Sequence, residues 1–502
     1  MSSNSLIEPA IITYIALLGA LTIRLRGSSP LQIFRQFALA LPLGCCYTVA
    51  AGIISLALFS KWLPWFVLLA PLVPCLWAFR KFSSDGCGRT ALSGSVVLIC
   101  YFLFSALLRS LNIAIFSYDS FQFVFLSSGY AHSTHLAHFA DFFFSYASFI
   151  VALQALVQFF GEDYASTGGP LFILCALSYT LMCLLGHIRG SKPLIYLAAG
   201  LLTMLAITCI YSPYFVIHQV FYVNNHRFHG CMMFLAVMEI CSFAETKNPS
   251  PKEQRNYYLT IFGLLGGVVF SRIEGPLAAT LLLVLLAETK KLSGKQFALG
   301  TMSFMGFYLV WTLLLWRYRH LSGHVAPIGS FITPFRMLEL MVPSVLLCGA
   351  YSQQFLRRST VAWRYVVILT LLGSLIVHAS TRPQHYAETV SNSLNNLLFL
   401  VPWGAFWPIA GLTVCYSLCT SRNLRESCIS FVLIAYPLIL LTLSAFRTPY
   451  RQGWGDSGNR MMGHMIPFVA YIVIFKALEA ISVASNQDSP AAPHLTGTPR
   501  DS

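Results

Sequence analysis

The sequence predicts an all-α polytopic membrane protein of about 13–16 transmembrane helices with extracytoplasmic juxtamembrane helices. Three observations carry that expectation. Of the 502 residues 56% are hydrophobic and only 10% charged, where a soluble chain carries about 25% charged residues. Mean hydropathy is +0.68, and apolar runs able to cross a hydrocarbon core of ~30 Å recur from end to end. The basic residues are scattered over many short loops, so the net charge of +14 reads as a topology signal and an affinity for anionic lipid. Membrane is the expected partner, and nucleic acid is not.

The first apolar run, Ile11 to Ile23, has no basic residue before it and Arg24 and Arg26 after it. That is the pattern of a first span with its N-terminus outside, not of a cleaved signal peptide. Candidate spans lie near 9–23, 37–59, 63–79, 91–116, 168–187, 193–212, 229–245, 257–271, 276–288, 297–316, 335–352, 364–380, 395–418, 427–446 and 462–482. The loops bearing Arg24/Arg26/Arg35, Arg80/Lys81/Arg89, Arg189/Lys192, Lys247/Lys252/Arg255, Lys290/Lys291/Lys295, Arg357/Arg358/Arg364 and Arg422/Arg425 are expected on the cytoplasmic side. A span at 143–160 would invert every later loop against that rule. Residues 120–160 therefore read as juxtamembrane or re-entrant helix along the outer surface, with a true span as the alternative. No soluble domain can be cut out. Residues 1–90 read as accessory spans, 91–482 as the main transmembrane region, and 483–502 as a disordered tail.

None of the 14 cysteines falls in a loop assigned to the outside, so they are expected as free, small apolar packing residues. The outer loops hold one lysine, Lys61, but Arg227, Arg272, Arg317, Arg319, Arg382, Arg447, Arg451 and Arg460. Arginine offers a planar fork that grips phosphate or carboxylate and never loses its charge. Each arginine alone is expected to reach for headgroups. Together with acids and histidines they point to a shared polar cavity. Spans 257–271 and 276–288 are short for a crossing, so their junction, Ser271-Arg272-Ile273-Glu274-Gly275-Pro276, is expected to be sunk in the protein. An internal Arg272–Glu274 pair around a Gly-Pro turn is the plainer reading.

Four outer segments carry candidate chemistry. Tyr118-Asp119-Ser120 ends a long apolar stretch, where a carboxylate costs several kcal/mol if desolvated without a partner. Asp119 is open to three roles: proton acceptor, divalent-cation ligand, or helix cap. His132, His135, His138 and Asp141 recur at three-residue spacing, with metal binding as one reading and a wetted interfacial helix as the other. Asn224, Asn225, His226, Arg227 and His229 precede or open a span, where amide, imidazole and guanidinium suit polyhydroxyl or phosphate recognition. Trp454 to His464 opens the last span with Asp456, Arg460 and His464, the last two sharing a helical face at i and i+4. No P-loop, dinucleotide fingerprint, HExxH or GxSxG occurs in a fitting context, which removes ATP-driven and serine-hydrolase readings.

In order, these pieces resemble the GT-C superfamily of polyprenyl-phosphate-sugar-dependent membrane glycosyltransferases. The resemblance rests on Tyr118-Asp119-Ser120, on the Phe-Gly-acidic turn Phe159-Phe160-Gly161-Glu162-Asp163-Tyr164, and on the polar entry Asn224-Asn225. It rests also on Arg272-Ile273-Glu274-Gly275, similar to a Lys-x-Glu-Gly motif, and on Asn459-Arg460-Met461, similar to an Asn-Arg-Tyr entry. It covers about residues 91–482, with one outer acid where a pair is usual and Asn for Asp in the second polar motif. The resemblance implies sugar transfer from a lipid-linked donor to a glycan, lipid or protein acceptor at the extracytoplasmic face, the plasma membrane in a bacterium. Asp119 is then general base or ligand to a divalent cation (Mg or Mn), with Tyr118, Asn224, Asn225, His226, Arg272, Glu274, Asp456, Arg460 and His464 in the substrate site. Arg272 and Arg460 would meet the lipid phosphate. A ligase or polymerase of lipid-linked glycans using Arg and His, and a transporter or flippase for a phosphorylated solute, stand as alternatives.

Overall fold

The computed structural model describes residues 6–23, 30–82, 87–114, 124, 127–132, 149–187, 225–322, 334–359, 362–399, 403, 405–420, 423–446, 449–453 and 457–487. Every regular element among them is helical, and the chain is an all-α polytopic membrane protein. Eight of these helices are long and apolar enough to cross a bilayer, and six shorter apolar ones accompany them. In chain order the helices are α1 (Ile7–Ala20), α2 (Pro30–Phe59), α3 (Pro64–Leu69), α4 (Leu72–Phe82), α5 (Cys87–Ser110), α6 (Phe149–Phe159), α7 (Gly168–His187) and α8 (His226–Glu245). Then come α9 (Pro251–Ser271), α10 (Gly275–Glu288), α11 (Gly294–Ser322), α12 (Pro334–Ser352), α13 (Phe355–Arg358), α14 (Trp363–Thr381) and α15 (Pro383–Leu394). The last are α16 (Phe406–Thr420), α17 (Leu424–Ser444), α18 (Ser457–Met462) and α19 (Ile466–Gln487).

Three departures from the expected spans have local causes. Helix α9 begins at 251 rather than 257, because Ser250 and Glu253 form a reciprocal capping box ahead of Pro251. Its 21 residues reach ~30 Å at ~1.5 Å per residue, so only α10 of the pair is short. The run 63–79 is broken between α3 and α4. The run 395–418 is broken as well: α15 passes into a π turn at Asn395–Phe399, and α16 starts only at Phe406. Polar side chains explain that break. The Asn392 and Asn396 amides donate to the Tyr450 and Arg451 carbonyls at 2.6 and 2.8 Å, fastening this stretch to the loop before α18.

The described part of helix α6, 11 residues, spans about 16 Å; residues 143–148 of the alternative span lie outside the described residues. It packs on α1, α2 and α3, and its Gln154 amide grips both backbone groups of Ala165 at 2.6 and 2.7 Å. The span expected at 193–212 lies outside the described residues, and α19 continues to Gln487, into the stretch expected as a tail.

Helix α8 is the axis of the bundle. Only Ser242, Ala244 and Glu245 of its 20 residues escape full burial, and it packs against α7, α9, α10, α17 and α19. A bilayer core offers charged groups no water, so those inside must pair. Glu239, in α8, is held by Arg35 of α2 at 2.8 and 2.5 Å and by the Tyr179 hydroxyl at 2.6 Å. Glu8 of α1 accepts from the Ser166 and Thr167 amides at 2.8 and 2.7 Å and lies 3.8 Å from Arg109, which binds Glu162 at 2.6 Å. The helices before residue 90 are thus continuous in packing with the rest.

At its C-terminal end α8 is capped by Lys291, whose Nζ donates to the carbonyls of Phe243, Ala244 and Thr246 at 2.5, 2.8 and 2.6 Å. Arg425 pairs with Glu245 at 2.5 Å. Lys291 and Arg425 thus meet this end of α8, while His464 of the turn before α19 meets the opposite, N-terminal end. All described cysteines are free thiols.

Candidate functional site

Three chain segments distant in sequence converge at the head of α8. Asn225 precedes the helix, and His226, Arg227 and His229 occupy its first turn, all buried. The turn from α9 to α10 supplies Ser271, Arg272 and Glu274. It is tight: Arg272 is extended, Glu274 closes the corner, and Pro276 starts α10 where a missing N–H costs nothing. Gly275 is required there, since a Cβ would stand 2.4 Å from the Val268 carbonyl oxygen. The third segment is the single 3-10 turn Gly463–Met465 between α18 and α19, which carries His464. It lies directly on α8: a Cβ on Gly230 would stand 2.5 Å from the His464 carbonyl oxygen. Arg227 locks the contact by donating to the Gly463 carbonyl at 3.0 Å.

Inside this junction the side chains form one network. His226 Nδ1 and His464 Nε2 are 2.8 Å apart with their rings stacked. His464 Nδ1 meets the Tyr436 hydroxyl of α17 at 2.6 Å and stands 4.0 Å from Glu274 Oε1. His229 Nδ1 meets Ser271 Oγ at 2.6 Å, and the His229 and His464 rings lie 4.7 Å apart. Arg272 Nε binds Glu274 Oε1 at 3.1 Å. Burial raises the Glu274 pKa, but the Arg272 guanidinium beside it, with hydrogen bonds to the carboxylate, outweighs that and holds the carboxyl below its ordinary value. Arg272, Arg460 and Arg227 all act electrostatically on His226. Three guanidiniums thus lie within electrostatic reach of His226 while Arg272 alone pairs with Glu274, so the charge balance of the described site favours an anion.

Of the residues expected in a site, Asn225, His226, Arg272, Glu274, Arg460 and His464 are brought to this one place, and both readings of the α9–α10 junction hold: it is sunk and it contains an Arg272–Glu274 pair. Tyr118, Asp119, Asn224 and Asp456 lie outside the described residues, as do His135, His138 and Asp141, while His132 is exposed. Of the eight arginines expected around a shared polar cavity, Arg227, Arg272 and Arg460 come together among the described residues. Arg382 binds the Ala445 carbonyl at 3.1 Å, Arg317 and Arg451 are exposed, and Arg319 and Arg447 offer no described side chain.

Arg227, His229 and Ser271 stand in segments expected to carry chemistry but are not among the expected substrate-site residues, and Tyr436 is in neither. His229 was legible as the i+3 neighbour of His226 on one helical face. Tyr436 was not: it sits within the apolar helix α17 and acquires its role only through the chain fold.

Beside the cluster, Leu394, Leu397, Pro437, Leu440, Tyr450 and Met462 line an apolar cavity of about 110 Å³. A second cavity of about 310 Å³, lined by Glu288, Lys290, Trp363 and Arg364 with Cys241 and Cys428, lies toward the other end of α8. Fold and site together define a polytopic membrane protein with a buried His–Arg–Glu centre at one end of its axial helix. No protein-family model, curated protein or solved structure matches the chain.

Proposed function

We propose that the chain is a membrane glycosyltransferase that moves a sugar from a polyprenyl-phosphate donor to an extracytoplasmic acceptor, with the cluster at the head of α8 as the phosphate end of its site. The observation that carries this reading is that Arg227, Arg272 and Arg460, from three distant segments, all lie within electrostatic reach of the buried His226, with Arg272 alone paired to a carboxylate. The apolar cavity reaching Gly458 and Met462, either side of Arg460, suits part of the hydrocarbon chain behind such a phosphate.

In the proposed reaction an acceptor hydroxyl oxygen bonds to the anomeric carbon as that carbon's bond to the phosphate oxygen breaks. The hydroxyl proton passes to a base, for which Asp119 is the proposed group, and the lipid phosphate leaves with an added negative charge. Arg272 and Arg460 stabilise that growing charge more in the transition state than in the ground state. A divalent cation (Mg or Mn) at Asp119 is the alternative use of that carboxylate.

The test is transfer of labelled sugar from a mixed polyprenyl-phosphate-sugar pool in proteoliposomes, comparing wild type with Asp119→Asn and Arg460→Gln. Transfer by wild type, lost in both folded variants, supports the reading. Transfer that survives Asp119→Asn but is lost in Arg460→Gln and His464→Gln indicates a ligase or polymerase of lipid-linked glycans instead.

A second reading, a transporter or flippase for a phosphorylated solute, is favoured by one observation: the cavity of about 310 Å³ at the opposite end of α8, whose mostly apolar wall carries Lys290 and Arg364. Acceptor-independent flux of labelled phosphorylated solute into proteoliposomes, with no sugar transfer, selects it.

A further inference from the structure

We infer that His229, Glu274 and His464 form a binding site for a divalent transition-metal ion of the zinc class. Each offers one ligand atom, all within 4.8 Å of one another, and all three side chains are buried. The proton arrangement starts at Ser271. Its hydroxyl donates to the Val268 carbonyl at 2.8 Å, so its oxygen accepts in the 2.6 Å contact with His229 Nδ1. The His229 proton is thereby fixed on Nδ1, and Nε2 presents a bare lone pair. That nitrogen is buried and has no hydrogen-bond partner among the described residues. A stranded acceptor is unfavourable in a dry interior, and a metal ion satisfies it. The hydroxyl behind Nδ1 is the outer partner that metal-bound imidazoles generally have.

His464 is braced in the same way. Its Nε2 lies 2.8 Å from His226 Nδ1, and its Nδ1 faces Glu274 Oε1 at 4.0 Å. To ligate through Nδ1 it exchanges its 2.6 Å contact with the Tyr436 hydroxyl for the ion. Imidazole nitrogen and carboxylate oxygen bind zinc at ~2.0–2.2 Å, so the trio contracts by roughly an ångström around the ion. Two imidazoles and a carboxylate select zinc or cobalt over magnesium and calcium, which take oxygen ligands. Arg272 shares the Glu274 carboxylate, and its guanidinium together with those of Arg227 and Arg460 repels a bare dication. The ion therefore enters with an anion, whose charge the guanidiniums offset. Inorganic phosphate is the simplest such anion.

This site stands independently of the glycosyltransferase reading, because its test reads metal rather than transfer. The full-length protein in detergent, stripped with chelator, is titrated with Co²⁺ in the presence and absence of inorganic phosphate and followed by visible absorption. Zn²⁺ content after loading is measured by elemental analysis. One tightly held ion per chain is expected, bound at least about 10-fold more tightly with phosphate. His229→Asn keeps a donor for Ser271 but removes Nε2, and it should weaken binding by about 100-fold, as should Glu274→Gln; Ser271→Ala should weaken it by about 10-fold. Monodisperse elution and an unchanged Tm establish folding for each variant, and where one fails the other two decide. Folded wild type that takes up no ion with or without phosphate overturns the inference, as does undiminished binding in the folded variants.

Discussion

At Tyr436 a phenol inside an apolar helix reaches His464 Nδ1 at 2.6 Å in a region with no access to water. Its removal strands an imidazole nitrogen rather than merely losing one contact, and a buried unsatisfied group costs about 1–3 kcal/mol. Tyr436→Phe is expected to lower the Tm in detergent accordingly, whereas Tyr386→Phe, at a half-buried ring 5.4 Å from that of His378, should change it little; a thermal melt of each separates the two cases. The Arg35–Glu239 pair is costlier to break. Glu239 is wholly buried and held through both oxygens, so Arg35→Met leaves a charge without its partner and should destabilise by about 3–5 kcal/mol. Replacing both, Arg35→Met with Glu239→Gln, should recover much of that loss on the same melting curve, because the stranded charge is gone. These residues also mark the limit of what sequence offers. Glu239 is visible as an acid in a span, and Arg35 as a loop arginine, but their meeting across 204 positions has no local signature.

Among the elements, apolar length was the readable quantity and polar punctuation the missed one. Helix α7 has the bounds its apolar run suggests, since no charged residue interrupts it. Helix α9 was read short because its first turn, Pro251-Lys252-Glu253-Gln254-Arg255, is charged; the capping box that starts it is a hydrophilic signal inside a search for hydrophobic ones. The region 395–418 was read as continuous because the asparagines that divert it act through bonds to a loop over fifty residues later. For the site, the helix-opening segments were readable because imidazole, guanidinium and carboxylate stand out against apolar neighbours. Their convergence, and the parts of Ser271 and Tyr436 in it, belong to packing. Packing also makes Gly230 unreplaceable: with 2.5 Å between a new Cβ and the His464 carbonyl oxygen, Gly230→Val must push the 463–465 turn away from α8. Loss of monodisperse protein, or of the bound cobalt spectrum where protein survives, is the expected result.

For the whole molecule, the two charge populations lie at opposite ends of α8, a helix of 20 residues and therefore ~30 Å long. Lys290 is exposed at one end and Gln452 lies in the exposed loop before α18, toward the other. Single cysteines at Lys290 and Gln452, introduced after replacing the exposed Cys415 and Cys419, should react with an impermeant maleimide from opposite sides of a sealed vesicle. Labelling of both from one side would overturn the arrangement of the bundle. The three carbonyls that Lys291 holds add a further expectation: Lys291→Ala leaves the end of α8 to fray and should raise hydrogen exchange at 242–246 while amides at 230–238 stay protected.

Fastened at its C-terminal end and enclosed along its length, α8 has no freedom to slide or tilt when something enters at its head. The opposing wall is built differently. Gly463–Met465 is a single turn of 3-10 helix inserted between α18 and α19, joined to α8 by the Arg227–Gly463 carbonyl bond and the His226–His464 contact. A ligand that reaches the centre therefore meets two unlike walls: His229 stands on a long helix packed along its whole length, and His464 on a turn three residues long.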